Sequence, residues 1–181
     1  MMLVELGALG ADALEQLAHV TVAAARSHAP AWLPDLPAAQ AALAEALAPG
    51  RRALAALDVD GSPIGWVAAA PAWSRVWELH PLIVAVTHHR RGHGHRLVRE
   101  IDRIAASAGA LTMALSTSDT VGATSLSGAD LYDDTFARLA SIELRQPHAL
   151  GFWRRVGYRV IDVLPDAEGP GQPSIALARR L

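Results

Sequence analysis

The sequence predicts an α/β (α+β) fold, a mixed central sheet with flanking helices, and three observations carry that prediction. Residues 79–96, LHPLIVAVTHHRRGHGHR, take an apolar, β-branched run through a His/Arg/Gly turn directly into the helical spacing of Leu97, Ile101, Ile104 and Ala105. Upstream, residues 52–59 and 64–70 flank Asp60-Gly61-Ser62-Pro63, a hairpin signal. Two stretches of helical periodicity precede that hairpin, so helices and strands alternate along the chain rather than segregate.

Taken in order, residues 2–6 read as a first strand. Leu14, Leu17, Val20 and Ala24 give residues 11–27 one apolar helical face. Prolines break residues 28–37 into a loop, and residues 38–47 form a second helix closed by Pro49-Gly50. After the hairpin comes a strand over 77–86, in which Pro81 marks a bulge because proline cannot donate to the ladder. The long helix covers 94–108, a strand 111–116, a loop 118–130 and a short helix 135–142. Residues 148–156 are helical, 158–164 a strand, and 174–178 the last strand beyond a Gly/Pro loop. Neither an internal repeat nor a linker divides the chain, so one domain spanning residues 1–181 is expected.

Composition narrows the function. A net charge of −2 gives no basic surface for generic nucleic-acid binding. The chain has no cysteine, which excludes disulfides, thiolate metal sites and cysteine nucleophiles. No apolar stretch reaches membrane-span length and the N-terminus lacks a basic leader region, so a cytoplasmic protein is expected.

A strand, a glycine-rich turn and a helix in succession make an anion cradle. Gly92 and Gly94 remove Cβ atoms from the turn, and the first amides of the following helix point at the ligand with the helix dipole behind them. Arg90, Arg91, Arg96 and Arg99 add guanidinium groups suited to phosphate. A Walker A loop is excluded because the chain has no lysine, and the dinucleotide pattern fails because Leu97 stands where its third glycine belongs. A metal site is the rival, with His88, His89, His93 and His95 in eight residues. Metal ligands must converge, whereas side chains of a phosphate loop splay outward, so the anion is the preferred reading and no metal is expected.

This segment resembles the acyl-CoA loop of the GNAT superfamily of N-acetyltransferases, Arg/Gln-x-x-Gly-x-Gly/Ala after a strand. Gly92 and Gly94 take its two glycine positions, and His89 stands where Arg or Gln is usual. The resemblance extends from about residue 3 to 180 and implies a GNAT fold with acetyl-CoA as co-substrate. The implied cofactor-binding set is Leu82, Val84, His89, Arg90, Arg91, Gly92, His93, Gly94, His95 and Arg96. Ala149-Leu-Gly-Phe152-Trp153-Arg-Arg-Val-Gly157-Tyr158 resembles the late helix of the family. There a tyrosine often protonates the departing CoA thiolate; Trp153 occupies its position, leaving Tyr132 and His148 as unranked substitutes.

Within the superfamily, residues 126–132 and 163–173 are similar to a group of aminoglycoside N-acetyltransferases. The residues point the same way: no arginine occurs between Ile104 and Ala137, while Asp119, Asp130, Asp133 and Asp134 do. An acidic, hydroxyl-rich segment suits a polycationic, hydroxylated substrate. The candidate substrate-binding residues are Trp32, Asp35, Asp119, Asp130, Tyr132 and His148. Trp32 is placed at a sugar ring, and Trp66, Trp73 and Trp77 in the core. The candidate catalytic residues are His80 and Glu78, two apart on the central strand and therefore on one face unless the Pro81 bulge intervenes. The family often carries a base on this strand, and a histidine pKa suits the role.

The expected activity is transfer of acetyl from acetyl-CoA to an aminoglycoside amine, conferring antibiotic resistance. A 6'-amine is common in the resembling group, and the 2'-amine of an atypical member such as kasugamycin is equally compatible. Two alternatives stay open: a GNAT enzyme for another small amine or a peptide N-terminus, and a non-catalytic acyl-CoA-binding or metal-binding module. The expected partner is an aminoglycoside-like small molecule, without nucleic acid or membrane; a homodimer is left open.

Overall fold

The computed structural model describes residues 1–26 and 32–181. The predicted helical end at Ser27 and residues 28–31 of the predicted loop lie outside the described residues. The chain is mixed α/β and falls into two compact units, Met1–Met113 with Leu181, and Ala114–Arg180. No described helix is long and apolar enough to cross a membrane.

The first unit holds β1 (Met2–Glu5), α1 (Ala11–Ala25), α2 (Leu36–Ala46), β2 (Arg52–Leu57), β3 (Pro63–Trp73), β4 (Val76–Val84) and α3 (His93–Ser107). Its strands are antiparallel in the order β1-β2-β3-β4. Asp60 builds the β2–β3 turn, its carboxylate accepting from the Ser62 amide at 3.0 Å and hydroxyl at 2.6 Å. Prediction missed the second hairpin: β3 runs to Trp73 and reverses into β4 across residues 74–75. Trp73 is accordingly 68% exposed at the hairpin tip rather than in the core, whereas Trp66 and Trp77 are buried as expected.

Register assigns the two faces of this sheet, because paired residues project to the same side. Ala53 pairs with Ala68, Ala55 with Trp66 and Trp66 with Ile83, and these five join the core of Leu17, Ala18 and Val22 from α1 and Ala39, Leu43 and Ala46 from α2. Leu54, paired with Val67, looks the other way, toward the side covered by Leu97, Val98, Ile101 and Ala105 of α3. Covering both faces explains why β2 reads as a continuous apolar run with no alternation. Inside the first layer, Trp66 Nε1 donates to Thr21 Oγ1 at 2.8 Å and Thr21 donates onward to Leu17 O at 2.7 Å, so the buried polar atoms are satisfied.

β4 carries the bulge that Pro81 foretells. Leu79 pairs with Ala69 and Leu82 with Val67, so His80 and Pro81 together face Ala68, and the bond between them is cis. One extra residue reverses which side the even-numbered residues of β4 face. Before the bulge, Glu78 pairs with Ala70 and projects toward α1 and α2; beyond it, Leu82 pairs with Val67 and projects toward α3.

The second unit contains most of β5 (Thr112–Ser118), then α4 (Thr135–Ala140), α5 (Ala149–Val156), β6 (Arg159–Gly169) and β7 (Gln172–Arg180), with strands in the order β5-β7-β6. The predicted Gly/Pro loop is largely a continuation of the β6–β7 hairpin, turning at residues 170–171. Asp166, in the left-handed region at φ 54°, absorbs the register slip there and accepts from Gly171 N at 2.6 Å.

Candidate active site

α3 starts at Gly92, whose φ of 83° lies in the left-handed region, and Arg90 two residues earlier has φ 58°. His93, Gly94, His95 and Arg96 then form the first turn; the Arg96 amide donates to Gly92 O at 3.1 Å, and those of His93, Gly94 and His95 have no acceptor inside the helix. Gly92 is thus demanded by the turn itself. Gly94 is different: it lies within the helix, where glycine costs roughly 0.5–1 kcal/mol relative to alanine. Its presence there fits a surface that something approaches closely. Arg90, Arg91, His95 and Arg96 are exposed around this turn.

The neighbouring histidines divide the work. His89 Nε2 meets Val84 O at 2.9 Å, stapling the loop to the end of β4. His88 Nε2 lies 3.2 Å from Asp58 Oδ2, and its ring stands 5.8 Å from that of His93. His93 Nδ1 is buried without a hydrogen-bond partner, and desolvation, followed by the nearby His88, lowers its pKa. Among the described residues no three His, Cys, Asp or Glu side chains converge as metal ligands would. Leu82 and Val84 are half-buried at the end of β4, and the bulge turns Leu82 away from the face that bears Glu78.

On that other face, His80 and Pro81 line a cavity of about 270 Å³ with Trp32, Leu33, Ala38, Ala41, Ala42, Glu45, Ala46 and Arg51. The Trp32 and His80 rings lie 4.7 Å apart, tilted by 52°. Crowding around the His80 ring lowers its pKa below the usual histidine value; Glu78 and then Glu45 act in the opposite direction, and Arg51 adds to the lowering. His80 is nonetheless exposed to solvent at the cavity mouth, and the lowering favours the imidazole form that can accept a proton. Asp35, expected at the substrate, caps α2 instead: its Oδ1 accepts from Ala38 N at 2.9 Å, and Pro37 fits the first turn behind it.

Glu45 and Arg51 were not anticipated. A signal existed: Ala38, Ala41, Ala42 and Glu45 share one helical face, so a lone carboxylate interrupts an alanine stripe. The Asp58–His88 pair had no such signal, its members being thirty residues apart.

The remaining candidates lie in the second unit. Asp119 is fully buried, and its two oxygens accept from Ala123 N at 2.8 Å and Thr124 N at 2.7 Å. Burial pushes its pKa up, but these bonds and the Thr124 hydroxyl outweigh it, and the pKa is lowered. The expectation that Asp119 meets substrate gives way to a loop-closing role, because neither oxygen reaches solvent. His148 caps α5, accepting from Leu150 N at Nδ1 (3.2 Å), and its Nε2 reaches Ser118 O at 3.0 Å, so both ring nitrogens are committed. Trp153 is 7% exposed and stacks edge-on against Tyr158. Asp130 and Tyr132 line a separate cavity of about 250 Å³ with Gly128, Asp166 and Gly171. Tyr132 is 79% exposed there, and its amide donates to Asp130 Oδ1 at 3.0 Å.

The acetyltransferase (GNAT) family model matches residues 15–127. Among solved structures, an aminoglycoside 6'-N-acetyltransferase complexed with coenzyme A is 32% identical at a TM-score of 0.89, covering 99% of this chain and 97% of that one. The aminoglycoside 6'-N-acetyltransferase from Enterococcus faecium is 31% identical at 0.87 with the same coverage. An aminoglycoside 6'-acetyltransferase type Ii is 28% identical at 0.72, again covering 99% and 97%. No curated relative matches the chain. The chain belongs to the GNAT family of acetyltransferases.

Proposed function

We propose that this GNAT acetyltransferase is an acetyl-CoA-dependent aminoglycoside 6'-N-acetyltransferase that confers resistance to its substrates. The observation that carries the reading is His80, an imidazole on the wall of a cavity, on the same strand that leads into the α3 cradle. The similarity to two 6'-N-acetyltransferases over nearly the whole chain supports the choice of acceptor and of the 6' position.

The residues fit acetyl-CoA as co-substrate. The free amides of the first turn of α3, the absence of a Cβ at Gly94 and the exposed Arg90, Arg91 and Arg96 suit its pyrophosphate. When bound, it supplies an acetyl thioester. His80 takes a proton from the acceptor ammonium, directly or through water, freeing the nitrogen lone pair to attack the thioester carbonyl carbon. A C–N bond forms, the C–S bond breaks, and the second proton that the nitrogen loses on becoming an amide balances the one taken up by the departing thiolate. Holding both reactants accounts for much of the acceleration. Glu78 and Glu45 favour a cation beside His80, and the Trp32 ring offers an apolar face to a sugar. Acetylation cancels one positive charge of the antibiotic, the basis of the proposed resistance.

The test is a panel of amines incubated with acetyl-CoA, followed by thiol release, mass spectrometry and NMR of the product, with kasugamycin included. A 6'-N-acetylated aminoglycoside is expected. Acetylation of the kasugamycin 2'-amine alone would move the position, and turnover confined to a polyamine or a peptide N-terminus would move the acceptor. Coenzyme A binding without turnover of any amine would leave a non-catalytic acyl-CoA module.

A further inference from the structure

The cavity beside His80 already contains a cation. Arg51 Nη2 contacts Glu45 Oε1 at 2.5 Å, and both side chains line the cavity wall with His80 and Trp32. Among the described residues the rest of the wall is apolar: the side chains of Leu33, Ala38, Ala41, Ala42, Ala46 and Pro81 offer no competing acceptor for a second ammonium. At about 270 Å³ the cavity is at the small end of ligand pockets, which run roughly 300–1,000 Å³, and suits one sugar ring.

We infer that Glu45 is the anchor for a second ammonium group on the acceptor ring, and that Arg51 is the resident cation this ammonium displaces. The pair then sets a preference for diamino sugars over monoamino sugars. The inference rests on the amino-sugar acceptor proposed above.

The chemistry follows from charge. An acceptor with one amine gives up its ammonium proton to His80 and retains no cation with which to compete for Glu45. An acceptor with two amines keeps one ammonium through the reaction. The Glu45 side chain is 62% exposed and that of Arg51 29%, so their bond is of the exposed kind that contributes little and exchanges readily. Glu78 faces the same cavity side and remains for the reacting amine. Glu78, Glu45 and Arg51 are the charged groups that act on His80 from β4, α2 and the segment between α2 and β2.

The test compares 6-amino-6-deoxyglucose, which carries the reacting amine alone, with 2,6-diamino-2,6-dideoxyglucose. The readout is the ratio of their kcat/KM values, in the wild-type protein and in Glu45→Gln, Arg51→Gln and Arg51→Lys. The wild type is expected to prefer the diamine. Glu45→Gln should reduce that preference about fivefold, the scale of one exposed ion pair, and Arg51→Gln should raise it by a similar factor. Arg51→Lys, which keeps the cation, should restore the wild-type ratio. Removing the positive charge of Arg51 should also move the acidic limb of the pH profile upward, and removing the negative charge of Glu45 should move it downward. A purely structural pair would slow both sugars in parallel and leave ratio and limb fixed, which would overturn the inference alone. A wild-type protein that acetylates neither sugar nor any aminoglycoside, yet acetylates another amine, would remove the acceptor reading and this inference together.

Discussion

Each unit of the chain holds a histidine and an acidic side chain close together, and the two arrangements have opposite characters. In the second unit, Asp119 is wholly buried with both oxygens bonded to backbone amides, and His148 has a partner at each ring nitrogen. In the first unit, His80 stands in a cavity wall against the Trp32 ring, near Glu78, Glu45 and Arg51. Both groups have perturbed chemistry, yet only one has hydrogen-bonding capacity left for a visitor. A saturated cluster fixes a loop; an unsaturated one at a cavity can exchange protons and cations with a ligand. Residue type alone does not distinguish the two.

Substitutions can break or sharpen that contrast. His80→Ala carries the largest expected effect, a fall in kcat of roughly 10²-fold or more with little change in acetyl-CoA affinity, measured by steady-state kinetics at saturating co-substrate. Asp119→Asn comes next and strikes stability, since a carboxamide cannot satisfy both amides as an acceptor. About 2 kcal/mol should be lost in denaturant unfolding, with the KM values of surviving folded protein little changed. The lowered pKa of Asp119 gives that stability a direction with pH. It is fully present above the unfolded carboxylate value of about 3.9 and is lost as pH falls through the lower folded value. Gly94→Val should raise the KM for acetyl-CoA about tenfold with the fold intact, since the position is helical; wild-type affinity would remove the cradle assignment. Smallest is Asp130→Asn, expected to raise the aminoglycoside KM a few-fold at low ionic strength and less as salt screens the attraction. If neither salt nor the substitution changes that KM, Asp130 is ordinary surface.

The sequence carried local order well and distant partnership poorly. The strand, turn and helix around Gly92 were legible because backbone rules act over a few residues, and Pro81 signalled its bulge for the same reason. The β3–β4 hairpin escaped because its turn, Ser74-Arg75, lacks the glycine or asparagine that marks such turns. At the site, Glu78 and His80 shared a face as spacing implied, the bulge falling just late enough to leave them together. Asp35 and Asp119 read as candidates through their charge, but one caps a helix and the other closes a loop. Glu45 and Arg51 were overlooked because their significance lies in packing against β4, which only the fold supplies.

The most direct measurement of the contrast is the pH dependence of kcat/KM for the aminoglycoside in the wild type, in His80→Ala and in His148→Ala. The wild type should rise with pH through an ionisation below the usual histidine value, because the folded pKa of His80 is lowered. His80→Ala should lose that limb. His148→Ala should retain it and instead unfold at lower temperature, having lost a helix cap. A limb that survives in His80→Ala, or disappears in His148→Ala, would contradict the assignment of base to the open cluster and scaffold to the closed one.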